Sequence, residues 1–506
     1  MGNDSVPVTR PSARTTRRAL LRGTAQFTAA LAVGVLAACG GGSGPATTAA
    51  TSTSRQLAAS AAGSATTAQT TARSATSSAA ASAATVATSA ASTTPALGGA
   101  TITLDFPHWG DVTYQTRFQR LADAFEAKSP GIKINVVNWA DYSTKIRTTF
   151  AGGTPPQTFI ADHGLIRGYV LTLHISEDLT PLANQDRTFQ RSAISPAAFD
   201  DMTVDGKLYG VTGSAFTAGF FYNRDLFDAA GLTSPYELWQ QDQWTWDRFL
   251  SSAQKLTRVS GTTTQQVGVT GFGLDYLWMD SNGGSEFDDT RRPTVCNYAQ
   301  PDSVEALDFL YNLDAKYHLT TPSVLKGTGM DADKAFMQGK AAMTTRWTTG
   351  LGLYKAIDSF TWGLAPYPKG KRGYASDFTI WSYTVAAGLS ERIRQAAWQW
   401  MTFLAGEGGQ EVDAASLVAV PFTAAAQAVF SKQLKDAAPR LEHPETMGTI
   451  LTKYPYKRLI TVDSSDIEKL VSDNLSPGWK GQMPMQQAAT QASAAADAYL
   501  KAHLQP

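Results

Sequence analysis

The chain has 506 residues, with 43 lysines and arginines balanced by 43 aspartates and glutamates, six histidines, two cysteines and 43% hydrophobic residues. Zero formal charge supplies no basic field for nucleic acid, and two cysteines exclude both a disulfide scaffold and a zinc site built from paired Cys-x-x-Cys motifs. The length allows roughly two to four domains and a sizeable core.

Residues 1–38 read as an export signal. They carry Arg10, Arg14, Arg17, Arg18 and Arg22 against one acid, Asp4, followed by an apolar stretch from Thr24 to Ala38. About 15 apolar residues behind a charged region are too few for a spanning helix and have the form of a cleavable leader. Thr16-Arg17-Arg18-Ala19-Leu20-Leu21-Arg22 resembles the twin-arginine export motif, although an arginine pair is also ordinary charge for a general secretory leader. Leu36-Ala37-Ala38-Cys39, with Gly40-Gly41-Gly42-Ser43-Gly44 after it, resembles the bacterial lipobox, in which the cysteine thiol accepts diacylglycerol. Lipidation of Cys39 leaves Cys296 without a partner, so Cys296 is expected to be a small buried residue and not a nucleophile.

Residues 39–99 are the lipidated cysteine and a linker almost entirely of Ala, Thr, Ser and Gly, with no aromatic residue and only Arg55 and Arg73 charged. Such a segment buries too little apolar surface to offset its ordering entropy, and a flexible tether spanning about 40 Å is expected. Everything else falls in residues 100–506, including all 12 tryptophans. Setting aside the seven arginines of leader and linker and Asp4, the body holds 36 basic and 42 acidic residues, an acidic domain hidden by overall neutrality.

In the body, Ala100 to Phe106 alternates as a strand, Phe118, Leu121, Ala122 and Phe125 recur at helical spacing, Pro130-Gly131 breaks the helix, and Ile132 to Val137 alternates again. This β-α-β order is the unit of a parallel sheet with helices on its faces. A helix from Tyr142 to Phe150 ends at Gly152-Gly153 before Pro155-Pro156, and Thr158 to Ala161 is a third strand. Strands follow at Phe220–Tyr222, Ala341–Thr345, Trp362–Ala365 and Ser382–Ala386, with helices at Asp225–Ala230, Ser303–Asp314, Arg392–Ala405 and Gln486–Lys501. The body is α/β and long enough that two lobes are expected.

Several stretches in shared order resemble the family 1 extracellular solute-binding proteins, the sugar-capturing components of ABC importers. They are Phe125-Glu126-Ala127-Lys128-Ser129-Pro130-Gly131-Ile132-Lys133-Ile134, Ala151-Gly152-Gly153-Thr154-Pro155-Pro156 and Gly219-Phe220-Phe221-Tyr222-Asn223-Arg224-Asp225-Leu226-Phe227. Ala335-Phe336-Met337-Gln338-Gly339-Lys340-Ala341-Ala342-Met343 and Ala396-Ala397-Trp398-Gln399-Trp400-Met401-Thr402-Phe403-Leu404 continue the set. The resemblance implies a two-lobed periplasmic-binding-protein-like fold with a hinge and an interlobe ligand cleft, the chain crossing between lobes near 213 and within 330–390. Gln157-Thr158-Phe159-Ile160 lacks the aspartate common in the family after the proline pair, and Trp381-Ser382-Tyr383 puts an aromatic residue where a glycine-rich turn is more usual.

Sugars present apolar C–H faces and a rim of hydroxyls, so a sugar site needs flat aromatic surfaces with carboxylates and amides. Open α/β sheets bind ligands beyond the carboxyl ends of their strands. Trp109 follows the first strand, Asp162 and His163 the third, and Trp347 a later one, while Trp381 opens a strand just after Asp377. The candidate ligand-binding residues are therefore Trp109, Asp162, Phe216, Trp278, Trp347, Asp377 and Trp381, with Trp278 supplied by a second-lobe loop from Gly271; Trp398 and Trp400 are assigned to core. No catalytic residue, metal or cofactor is assigned: His108 and His163 alone make a weak metal pair, and Asp288-Asp289 and Asp331-x-Asp333 lack the rest of a calcium loop. The expected function is capture of a mono- or oligosaccharide by lobe closure and its delivery to ABC permease subunits, by a monomer lipid-anchored outside the cytoplasm, with no nucleic-acid partner. A secreted polysaccharide hydrolase or lyase, or a binder of a non-sugar solute, is the alternative.

Overall fold

The computed structural model describes residues 100–162, 165–260, 263–271, 274–319, 331–457, 461 and 464–503. The leader, Cys39, the tether and His163 lie outside the described residues.

The first lobe is built on β1 (Ile102–His108), which turns Ile102, Leu104 and Phe106 into the core and pairs in parallel with β2 (Ile132–Asn138), Ile102 opposite Ile132. Between them α1 (Val112–Lys128) starts at Asp111, whose side chain accepts the Thr113 N–H at 2.8 Å, and buries Phe118, Leu121, Ala122 and Phe125 on one face. A buried Leu or Phe contributes about 1.5–3 kcal/mol against about 1 kcal/mol for a cap, so that apolar face decides where α1 lies. After α2 (Tyr142–Ala151), Gly153 at φ +74° turns the chain into β3 (Thr158–Asp162). β3 lies beside β1, with the Thr158 hydroxyl donating to the Asp105 carbonyl at 2.9 Å. Residues 176–211 return along this lobe through α3 (Pro196–Asp201) and the hairpin β4 (Thr203–Val204) and β5 (Lys207–Leu208).

β6 (Ser214–Phe216) and β7 (Ala218–Asn223) are almost continuous and leave this lobe for the second sheet. That sheet contains β8 (Arg258–Ser260), β9 (Thr263–Thr270), β10 (Ala341–Trp347) and β11 (Trp362–Ala365), in the order β11-β7-β10-β9-β8. It is packed by α4 (Trp246–Leu256), α5 (Asp275–Asn282) and α6 (Pro301–Ala315). The chain returns through β12 (Ser376–Val385), whose first half pairs with β14 (Pro455–Lys457) and β6 and whose second half pairs with β3. The two lobes are thus joined by β6–β7 and β12. α7 (Glu391–Ala405) and α8 (Glu407–Ala414) cover the first lobe, β13 (Val420–Pro421) edges β6, and α9 (Ser464–Trp479) packs on α10 (Met485–His503) beside α6.

Two expected elements differ. The strand expected at Ser382–Ala386 begins six residues earlier, at Ser376, because all ten residues of β12 are buried and no alternation marks its start. The expected loop at Gly271–Trp278 becomes helical from Asp275; its first residue follows Leu274, which offers no side-chain cap, so the usual start signal is missing.

Candidate functional site

The site begins in the turn after β1. His108 is fully buried, its Nδ1 donating to the Trp109 carbonyl at 2.9 Å and its Nε2 facing the Gln115 side-chain amide at 2.7 Å, which holds the turn and occupies both ring nitrogens. Gly110 adopts φ +109°, and a Cβ there would lie 2.4 Å from the Tyr114 ring. Only glycine therefore lets Tyr114, in the first turn of α1, fold back over this turn toward Trp381.

Trp381 is the centre of an aromatic group. Its ring centroid lies 4.6 Å from that of Trp109, 4.7 Å from Phe216 and 5.3 Å from Tyr114, while Trp109 is edge-on to Tyr142 at 4.8 Å. Three of the expected ligand residues, Trp109, Phe216 and Trp381, are therefore brought together from β1, β6 and β12. The backbone of a fourth, Asp162, is directly opposite Trp381 in the β3–β12 ladder. Below Trp381 the Arg117 guanidinium lies 5.8 Å from the indole centroid. Burial works most strongly against its charge, but the paired Asp413 carboxylate together with Tyr383 and Tyr114 outweighs it and keeps the pKa above its ordinary value.

On the other side of the hinge strands, the buried Asp377 accepts from the Tyr276 hydroxyl at 3.0 Å and from Thr379 Oγ1 at 2.7 Å. Tyr276 stacks on Tyr456 at 5.4 Å, and the Tyr456 and Tyr298 hydroxyls each donate to Glu286 at 3.1 Å. Burial, reinforced by Glu286, pushes both phenols well above their usual pKa, so they remain donors. Trp347 ends β10 opposite Ala218, next to a Thr348 N–H that donates to the Thr217 carbonyl at 2.8 Å, and is 37% exposed. It stands where the chain passes from β6 to β7.

Trp278 is placed elsewhere. It is fully buried in the second lobe among Trp246, Phe249, Phe309, Phe220 and Tyr367, with centroids 5.3 to 5.9 Å away. The helical turn that begins at Asp275 directs Tyr276 to Asp377 and, two residues on, Trp278 to the core. Tyr114, Tyr142, Arg117, Tyr276, Tyr456 and Glu286 were not anticipated. Helical spacing from a core-face residue marks Tyr114, four before Phe118, and Tyr142, four before Ile146, whereas Tyr456 on β14 and Glu286, outside any helix or strand, carry no such signal. Among the described residues no group of three His, Cys, Asp or Glu could hold a metal ion, and Asp288 and Asp289 are exposed turn residues. A separate cavity of about 550 Å³ on the outer side of the first lobe, between Lys128, Trp398 and Phe403, includes none of the site aromatics.

Sheets in two lobes, two strand connections and aromatic and carboxylate groups gathered on those connections define the class: a two-lobed α/β substrate-binding protein. The profile of the bacterial extracellular solute-binding proteins matches residues 109–411, and the chain belongs to that family. It is 26% identical over 301 residues to a Brucella abortus protein named as a binding protein, covering 57% of this chain and 68% of that one. The lactose-binding protein of Rhizobium radiobacter is 24% identical over 254 residues, covering 49% and 57%. In structure the chain is similar to an ABC substrate-binding protein of Listeria monocytogenes in complex with cycloalternan, with a TM-score of 0.67 and 22% identity over 79% of this chain and 99% of that one, a likeness of fold.

Proposed function

We propose that this protein captures a carbohydrate between its lobes outside the cytoplasm and delivers it to the permease of an ABC importer, held at the membrane by a lipid on Cys39. The observation that carries the reading is the group in which Phe216 and Trp381 of the hinge strands meet Trp109 after β1 and Tyr114 of α1, with Asp377 and its Tyr276 and Thr379 donors farther along β12. Flat indole faces suit the C–H faces of a pyranose, and the polar groups suit its hydroxyls. The naming of one relative for lactose and the cycloalternan complex of a protein of the same fold support a sugar ligand. Ligand touching both lobes stabilises the closed arrangement by its differential affinity, and closure is the form the permease would read.

Thermal shift of the full chain against a panel of mono- and oligosaccharides tests the reading. A saturable rise in melting temperature with at least one sugar supports it, and no rise with any of them counts against it. The anchor is tested by Cys39→Ser, which is expected to move the protein from the membrane fraction to the soluble one.

A further inference from the structure

The Asp288-Asp289 turn, which binds no metal by its residue pattern, organises a different device. Asp288 Oδ1 accepts the N–H groups of Asp289, Thr294 and Val295 at 2.8 to 3.0 Å, closing the loop on itself. Asp289 Oδ1 accepts the N–H groups of Arg291 and Arg292, both at 2.7 Å, so the two arginines project from a fixed turn. This loop belongs to the second lobe: the Cys296 N–H donates to Asp497 of α10 at 2.7 Å and the Ala299 N–H to Ser493 at 3.0 Å.

The arginines reach the first lobe. Arg291 Nη2 pairs with Asp200 and, at 3.1 Å, with Asp201, the last residues of α3, and Arg292 Nη2 pairs with Asp205 at 2.9 Å. Asp205 is equally fixed, at φ +49° before Gly206 at φ +77° in the two-residue turn of the β4–β5 hairpin. That region is tied to the first lobe, since the Leu179 N–H donates to the Leu208 carbonyl at 2.7 Å and Val211 and Tyr383 exchange hydrogen bonds. Two carboxylates at the C-terminal end of a helix are unfavourable alone, and Arg291 offsets them. The Asp201 side chain is 8% exposed and that of Arg291 29%, so this pair is screened less than an ordinary surface pair.

We infer that Arg291 and Arg292 with Asp200, Asp201 and Asp205 form an interlobe ion latch that favours the arrangement of this structure, in which the two lobes touch at these pairs, making lobe separation sensitive to ionic strength. The inference deepens the lobe-closure reading and depends on it, but not on the ligand being a sugar. Arg167, from the turn after β3, faces the same cluster; burial and the neighbouring Arg292 and Arg291 hold its pKa down, only partly opposed by Asp205 and Asp289. The latch therefore works in a strongly charged corner where added salt weakens every pair.

The test measures the distance between lobes without ligand. Spin labels are placed at Lys128→Cys on α1 and Lys255→Cys on α4 in the full chain carrying Cys39→Ser; Cys296 is buried and stays unlabelled. The latch predicts a short-distance population at low salt that falls about threefold or more in 1 M NaCl, and by a similar factor at low salt in the Arg291→Ala/Arg292→Ala variant. The charge exchange Arg291→Asp with Asp201→Arg is expected to recover most of that population. Distance distributions unchanged by salt or by the double alanine variant, with its melting transition intact, overturn the latch. Since no sugar is present, this outcome is separable from a failure of sugar binding in the thermal-shift panel.

Discussion

Arg117 presents Nε and Nη2 to the two carboxylate oxygens of Asp413, each at 2.6 Å, joining α1 to α8 across 296 residues of sequence. The same Nη2 reaches Ser214 on β6 at 3.2 Å and Tyr383 on β12 at 3.3 Å. One buried guanidinium therefore fixes both hinge strands against the first lobe directly beneath Trp381.

Removing one partner of a buried pair leaves the other charged and desolvated. Asp413→Ala is expected to lower unfolding free energy by about 3–5 kcal/mol, and the joint Arg117→Met/Asp413→Leu exchange by clearly less. Urea denaturation of the single and double variants measures the difference; equal losses would show that the uncompensated charge is not the cause.

Trp381 and Trp278 should separate binding from folding. Trp381→Ala is expected to weaken sugar affinity about tenfold or more and, because the ring is only 8% exposed, to lower the melting temperature as well. Trp278→Ala removes a fully buried ring from the second-lobe core and is expected to cost about 3–5 kcal/mol of stability. Trp278→Phe, better tolerated by the core, is expected to leave affinity within about twofold of the parent in calorimetric titration.

Asp280, near the end of α5, has its pKa raised to about 6 by burial, with Arg372 only partly opposing the shift. Unfolded, its pKa is near the ordinary aspartate value of 3.8, so the folded chain holds the proton more tightly. The stability it contributes is present below about pH 4 and is lost as pH rises through about 6. Asp280→Asn is therefore expected to be more stable than the parent at pH 7, by up to about 3 kcal/mol, with the gap closing toward pH 4. Melting curves of both proteins between pH 4 and 7.5 measure the gap; a gap that widens toward pH 4 has the wrong sign.

Cys296 is buried, and burial pushes its thiol up to about 11. Alkylation at pH 8 is expected to be at least about a hundredfold slower in the native protein than in 6 M guanidinium. Rapid native labelling at Cys296, read by peptide mass mapping, would contradict the burial.

The β-α-β opening is legible in sequence because β1 and α1 each face the core on one side only, so Leu104 and Phe106 alternate and Phe118, Leu121 and Phe125 recur at helical spacing. β12 is not, because strands buried on both faces lose that alternation. For the site, Trp109, Phe216 and Trp381 were reachable from strand ends and local aromatic character. Arg117, Tyr276 and Glu286 were not, since each acts through a partner more than a hundred residues away or held by a tyrosine from another element. Trp278, expected in a loop from Gly271, is instead buried on the helix that begins at Asp275, a start that no side-chain cap marks.

The central claim is that sugar binds intact at the Trp109–Trp381 group. Calorimetric titration of the full chain with the sugar giving the largest thermal shift, followed by chromatography of the recovered sugar, tests it most directly. Saturable binding, sugar recovered unchanged and binding weakened tenfold or more by Trp381→Ala are the expected results. Cleaved sugar, or an affinity untouched by Trp381→Ala, would contradict it.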